Sequence, residues 1–454
     1  MVRVLTRDKS YYTSLISLAI PVALQNLITF LVSFADNLMV NTLGDAAVSG
    51  VYIGSQMQTF LQMFTSGVAN AIVIIAAQYW GKRDTLQIRR FVGIGLKIST
   101  AIGLIFTLLC IGFAEPISSF FTKDPVVIAS AGEYLRIVAW SYLFFSATQT
   151  LISAMRSVET VRVGMLVSSI SLVVNISLNY ILIFGKLGFE PMGIRGAAIA
   201  TVISRVAEMI TMIVYVSRVD KKLGLKIKDL AAWDKGLVRD FIKYGTPLVL
   251  GDLIWSVNMM MNSRIMGGYG AAVITAVSVA NTMNSMAYIF MNGMSSAVGV
   301  ITGKTVGAGK YDLMKEYART TQVIFLGWGL VMGGVISALN GPFVGLYGGI
   351  SPEAAAEATR FIRVLSITFI GTSYQAASLF GLVKSGGDIS FVFKNDTIFV
   401  FGVVLPSALI ASHFGAPAWV TFACLKCDQI LKCIVAFFKI RRYDWMKKLT
   451  REAA

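Results

Sequence analysis

Apolar stretches long enough to cross a lipid bilayer recur from one end of this 454-residue chain to the other, separated by short polar or basic connections. A helix needs about 20 predominantly apolar residues to span the hydrocarbon. Twelve stretches qualify: roughly 13 to 41, 46 to 80, 88 to 114, 126 to 156, 160 to 184, 192 to 218, 240 to 267, 271 to 306, 316 to 340, 353 to 384, 389 to 412 and 416 to 439. Several exceed a minimal span, which implies tilt or protrusion. With 56% hydrophobic and only 14% charged residues, the chain is more apolar than a soluble core requires. The expected fold class is therefore an all-α integral membrane protein with twelve transmembrane helices. Because the runs are spread along the whole chain, the first does not read as a cleaved signal peptide before a soluble domain.

The net charge of +16 raises the question of a nucleic-acid partner, and the placement of the bases answers it. Alternate connections carry them: Arg3, Arg7 and Lys9, then Lys82 to Arg90, Arg156 with Arg162, Arg218 through Lys243, Lys304 to Arg319, Lys384 with Lys394, and Lys439 through Arg451. The intervening connections hold few, chiefly Lys123, Lys186 and Arg195. By the positive-inside rule this predicts a multi-pass protein of the cell (inner or plasma) membrane with both termini cytoplasmic, and no nucleic-acid partner. Lipids are expected partners, and the chain is expected to be a monomer.

The sequence repeats itself. Setting "PVALQNLI" from Pro21 against "PLVLGDLI" from Pro247 gives an offset of 226 that also brings Gly44 onto Gly270, Gly67 onto Gly293 and Gly81 onto Gly307. Further on, "YLRIVAWSYLFF" from Tyr134 resembles "FIRVLSITFIGT" from Phe361. Six spans per half give both halves the same orientation, so the expected architecture is two pseudo-symmetric six-helix lobes in a parallel repeat. The expected boundaries are an N-terminal lobe over 1–220, a cytoplasmic linker over 221–239 and a C-terminal lobe over 240–454. The bases of the linker region can serve anionic lipid headgroups or simply a solvated cytoplasmic loop.

Several enzyme classes lack their equipment. "GVITGKT" from Gly299 has three residues between its first glycine and Gly303 where a phosphate-binding loop needs four, and no strand precedes it. Neither HExxH nor GxSxG occurs, and the cysteines of "CLKC" have one histidine, His413, and no second pair. The chain does not read as an enzyme, and any work it does draws on a gradient.

Polar residues inside the spans are then the candidates, because an ionisable group in hydrocarbon costs a few kcal/mol and is functional by default. Asp36 is the only carboxylate between Tyr11 and Asn41. Its counterpart at the repeat offset is Asn262, while Asp252 lies nearer mid-membrane in the second half. Asn175 and Asn179, four apart, share a helix face and suit either cation coordination or interhelical hydrogen bonding. Methionines crowd the seventh and eighth spans. Met259, Met260, Met283 and Met286, with Gln25 and Tyr288, are candidates for an adaptable substrate cavity.

An ordered set of segments resembles the multidrug and toxic compound extrusion (MATE) family. It comprises "IPVALQNLITFLVSFADNLMVNTLGD", "AQYWGKRD", "YLRI", "AMRSVET", "NISLNYILIFG", "GIRGAAIATVISR", "PLVLGDLIW", "GKTVGAGKYD" and "KSGGDISFVFKND", and covers nearly the whole chain. The resemblance implies a MATE-like fold and export of organic, often cationic or aromatic, compounds by antiport against H⁺ or Na⁺. It also implies an ion-coupling site at Asp36, Asn175 and Thr201, with Asn179 where some members have a second acid. The acids of another branch fall on Trp255 and Ser373 here, so that branch's cation site is not expected, whereas Asp252 resembles an acid of certain bacterial members. No cofactor is expected beyond the coupling ion, H⁺ before Na⁺, and no metal site beyond Na⁺ at Asp36. The alternative is a flippase of lipid-linked precursors, which calls for a more cationic cavity than Lys97, Arg136, Arg205 and Arg264 provide. A channel or passive receptor is the third reading.

Overall fold

The computed structural model describes residues 5–451, so Arg3 lies outside the described residues. The described chain is helical throughout. The first half contains α1 (Lys9–Asn41), α2 (Asp45–Gly81), α3 (Thr85–Gly112), α4 (Ala114–Phe121), α5 (Pro125–Val138), α6 (Trp140–Ser157), α7 (Arg162–Phe184) and α8 (Ile194–Val214). A short α9 (Ile227–Ala231) precedes α10 (Lys235–Gly267), α11 (Ala271–Gly307), α12 (Tyr311–Gly345), α13 (Pro352–Gln375), α14 (Ile389–Phe399), α15 (Leu405–His413), α16 (Ala418–Leu425) and α17 (Asp428–Arg442). Wider π-helical turns follow α8, α13 and α14 at Tyr215–Val219, Ala376–Lys384 and Val400–Val404.

Among the described residues, eight helices or helix runs are long and apolar enough to cross a membrane, and a ninth results if α5 and α6, bent by 47°, form one broken span. The other three expected spans are helical but more polar. The stretch 240–267 lies in α10 with Asp252 and Arg264, 353–384 begins in α13 with Glu353, Glu357, Arg360 and Arg363, and 416–439 is divided between α16 and α17, with Asp428 and Lys432 inside it. Carboxylates and bases lower the apolar transfer energy of these segments, which is why their own sequence marks them less clearly.

The repeat is reproduced helix by helix. The bounds of α1 and α2 map onto those of α10 and α11 with a shift of 226 at all four ends. Gly44 and Gly270 precede α2 and α11 with φ of 91° and 101°, a backbone region that an L side chain rarely enters.

Packing divides the chain into two compact units, Leu24–Val249 and Met1–Ala23 with Leu250–Ala454. These boundaries fall inside α1 and α10, just after Pro21 and Pro247, and not in the 221–239 linker. Each unit therefore receives the opening half-helix of the other repeat. The matched glycines show how it is received. A Cβ on Gly293 of α11 would sit 2.8 Å from the Ala19 carbonyl oxygen and 2.8 Å from the Ala23 Cβ, and one on Gly67 of α2 would sit 2.3 Å from a methyl of Val249. Only a residue without a side chain allows backbones this close. Gly293→Val is expected to lower stability by about 1–3 kcal/mol, the usual range for overpacking. Gly327→Val in α12, with nothing within 4 Å, is the comparison in a detergent melt.

After α17 the chain folds back on the turn before α14. Trp445 is fully buried, a Cβ on Gly386 would meet its ring at 2.3 Å, and the Lys447 amide donates to the Gly386 carbonyl at 2.8 Å. Asp388 in that turn pairs with Lys439 at 2.8 Å and Lys447 at 2.7 Å. Burial alone pushes the Asp388 carboxyl up, but the two ammonium groups outweigh it and hold the group below its usual value. A depressed carboxylate contributes stability above its unfolded value of about 3.9 and loses it as pH falls through the folded value. The tail should therefore loosen only below about pH 4. Asp388→Asn should loosen it at neutral pH, read as increased solvent exposure of Trp445 by fluorescence quenching.

Candidate functional site

Asp36 lies on α1 among apolar residues, and its carboxylate accepts a hydrogen bond from the Asn179 amide nitrogen of α7. One turn earlier on α7, Asn175 accepts from the same Asn179 nitrogen at 3.2 Å. Asn175 and Asn179 are 1% and 0% exposed, so the four-residue spacing delivers both amides to one buried point. The Asn179 amide oxygen is buried there without a hydrogen-bond partner, leaving an acceptor beside the carboxylate.

α8 packs closely on α7 because Gly196 has no side chain, and a Cβ there would lie 2.7 Å from the Leu182 carbonyl group. That contact brings Arg205 within electrostatic reach of Asp36. Arg205 donates to both carboxylate oxygens of Glu208, at 2.8 and 3.0 Å, and lies 5.0 Å from the centre of the Phe145 ring. Thr201 does not reach Asp36 directly. Its hydroxyl donates to the Ala197 carbonyl at 3.0 Å, and it meets the buried Tyr134 of α5. Tyr134 has room because Gly54 of α2 lacks a side chain, and a Cβ there would fall 2.4 Å from the ring. Glu208, 4% exposed, is a second buried acid here, linked to Asp36 through Arg205. The i,i+3 spacing of Arg205 and Glu208 in the sixth apolar run was the available signal for that pair.

The cavity candidates separate. Gln25 is 6% exposed, accepts from Arg156 at 3.3 Å and packs where Gly164 leaves space, so it belongs to the interior of its unit. Met283, 6% exposed, is part of the core packed between α11, α13 and their neighbours. Met259 and Tyr288 are half-buried, while Met260 and Met286 are exposed. Tyr288 stacks edge-on against Phe369 at 6.0 Å.

The second half has a different charged cluster. One Asp252 oxygen is buried without a hydrogen bond, and the side chain feels both Lys384 and Asp396. Asp396 of α14 pairs at 2.9 Å with Lys432 of α17, which also reaches Asp428 at 3.0 Å. The Lys432 side chain is only 7% exposed. Asp396 lies in the eleventh expected span and Asp428 and Lys432 in the twelfth, and nothing local to either run shows that they meet. The i,i+4 spacing of Asp428 and Lys432 was the available signal for that pair.

The sequence profile of the MatE family matches residues 21–181 and again 247–409, so the two matches begin at Pro21 and Pro247. An uncharacterized transporter, YisQ of Bacillus subtilis, is 23% identical over 445 residues, 97% of this chain and 96% of its own. A probable multidrug resistance protein, NorM of Rhizobium meliloti, is 27% identical over 79% of this chain and 77% of its own. The crystal structure of the Vibrio cholerae MATE transporter VcmN in the bent form superposes with a TM-score of 0.86 at 16% identity, covering 96% of this chain and 97% of that one. At that identity the likeness establishes the fold, an all-helical multi-span membrane fold.

Proposed function

Because the chain belongs to the MatE family of membrane transporters, we propose that it is a cation-coupled antiporter that exports organic, often cationic or aromatic, compounds by alternating access, with H⁺ as the coupling ion. The observation that carries this reading is the intramembrane Asp36 carboxylate held by buried Asn179. A carboxylate accepts hydrogen bonds only; once protonated it must also donate. Asn179 supplies both roles, since its nitrogen now faces Asp36 and its unpartnered oxygen can face it after the amide turns over. One buried amide thus accommodates both protonation states. Arg205 and Thr201 with Tyr134 frame the site, and the Arg205–Glu208 pair leaves Asp36 to exchange the proton.

Sodium is the second reading, with oxygens of Asp36, Asn175 and Asn179 as its ligands. Relatives named as probable multidrug resistance proteins support the substrate class. The alternation of basic connections supports cytoplasmic termini. The test is efflux of a fluorescent organic cation from membrane vesicles with proton and sodium gradients imposed separately. Efflux driven by the proton gradient alone is the expected result, and efflux driven only by sodium would replace H⁺ by Na⁺ at Asp36.

A further inference from the structure

We infer that the start of α10, from Lys235 to Lys243, together with Trp233, forms a binding site for one anionic phospholipid at the membrane surface. A groove of about 450 Å³ is lined there by Trp233, Lys235, Val238, Arg239, Ile242 and Lys243. Its floor is apolar and its charged groups all carry the same sign. Lys235, Arg239 and Lys243 recur every four residues along one helix face, over about 12 Å of helical rise. That length is comparable to the headgroup layer together with the adjacent ends of the acyl chains. Trp233 and Ile242, 62% and 57% exposed, present apolar surface beside the three bases.

The groove is held in place from behind. Asp234 caps the start of α10, accepting from the Gly236 and Leu237 amides at 2.8 and 3.1 Å, so its charge is engaged with backbone. Lys97 of α3 donates to the carbonyls of Ala231 and Ala232 at 2.8 and 3.1 Å and sits 5.4 Å from the centre of the Trp233 ring. That contact holds the indole beside the basic face and adds a fourth positive charge. Gly93 of α3 seats α9, since a Cβ there would fall 2.5 Å from the Leu230 carbonyl oxygen. The segment between the halves is thus a fitted piece of the first unit and not a free loop.

An occupant must match an apolar floor and three cations on one edge. A phospholipid with a net negative headgroup does so: the phosphate and headgroup charge meet Lys235, Arg239 and Lys243, and an acyl chain lies on Val238, Ile242 and the indole. Tryptophan and basic side chains are suited to this depth, where one end of the residue is apolar and the other wet. The inference rests on the membrane fold alone and is independent of the coupling ion.

The experiment uses the full-length protein in detergent, melted with added phosphatidylglycerol, phosphatidylcholine or inorganic phosphate. Phosphatidylglycerol should raise the melting temperature more than phosphatidylcholine. In the Lys235→Gln, Arg239→Gln, Lys243→Gln triple variant that difference should vanish. It should persist in Lys9→Gln, Lys310→Gln, Arg442→Gln, which removes the same charge elsewhere. A second measurement leaves the basic groove intact: phosphatidylglycerol brominated on its acyl chains should quench wild-type fluorescence more than that of Trp233→Phe. The inference is overturned if the groove triple retains the phosphatidylglycerol effect, if the control triple loses it equally, or if inorganic phosphate reproduces it. It also fails if bromination quenches wild type and Trp233→Phe alike.

Discussion

Asp36→Asn is expected to abolish uphill efflux while leaving the protein inserted and folded. The substituted amide has nearly the shape of the carboxylate, and one of its faces offers an oxygen to the Asn179 nitrogen, so the hydrogen bond that docks α1 on α7 survives. What is lost is the charge and the exchangeable proton. A proton moving down the membrane potential supplies about 2.3 kcal/mol per 100 mV. Removing it lowers the attainable substrate gradient by a factor of about 40 per 100 mV, because each 1.4 kcal/mol is tenfold. Exchange of substrate at equal concentrations on both sides should be less affected. Wild-type accumulation against a gradient in the Asp36→Asn protein would show that the coupling group lies elsewhere, and the remaining intramembrane acids would become the candidates.

Lys432→Met should destabilise the protein more than any other single change considered above. It removes the cation that pairs with both Asp396 and Asp428, whose side chains are 20% and 16% exposed. Breaking a buried pair from one side typically costs about 3–5 kcal/mol, because the partner is left as an uncompensated charge. Replacing all members at once is often neutral. The triple variant Lys432→Met, Asp396→Asn, Asp428→Asn is therefore expected to recover most of the melting temperature lost by the single substitution. Equal melting temperatures for wild type and Lys432→Met would mean that the triad does not hold α14 to α17.

The same comparison of neighbours explains why the two halves, though repeated in backbone, differ in chemistry. The offset that matches Gly67 with Gly293 also matches Asp36 with Asn262, whose amide oxygen is buried without a hydrogen bond. The glycines are shared because each unit must admit a half-helix from the other repeat. The carboxylate is not shared, and the second half places its acids at Asp252, Asp396 and Asp428 instead.

The membrane class, the repeat, the positions of most spans and Asp36 as the first acid to ask about all follow from the order of residues. Each is carried by a local run or a fixed spacing. Nothing local distinguishes the faces of a helix that is apolar nearly all round, because its periodicity does not point to the interior. That is why the sequence could not tell that, of the cavity candidates, Met283 and Gln25 are buried while Met260 and Met286 are exposed. It is also why the partner of Asp36, 143 residues away, had to come from the tertiary structure. Spacing put Asn175 and Asn179 on one helix face, and the family resemblance added Thr201. Packing chose Asn179 as the donor, withdrew Thr201 to Tyr134, and joined Glu208 to the site through Arg205. The exchange of opening half-helices between the units was likewise invisible in the chain, since α1 and α10 are continuous and only their neighbours change at Ala23 and Val249. Span and spacing are properties of a segment, whereas the Asp36–Asn179 contact and the groove at Trp233 are properties of which segments meet.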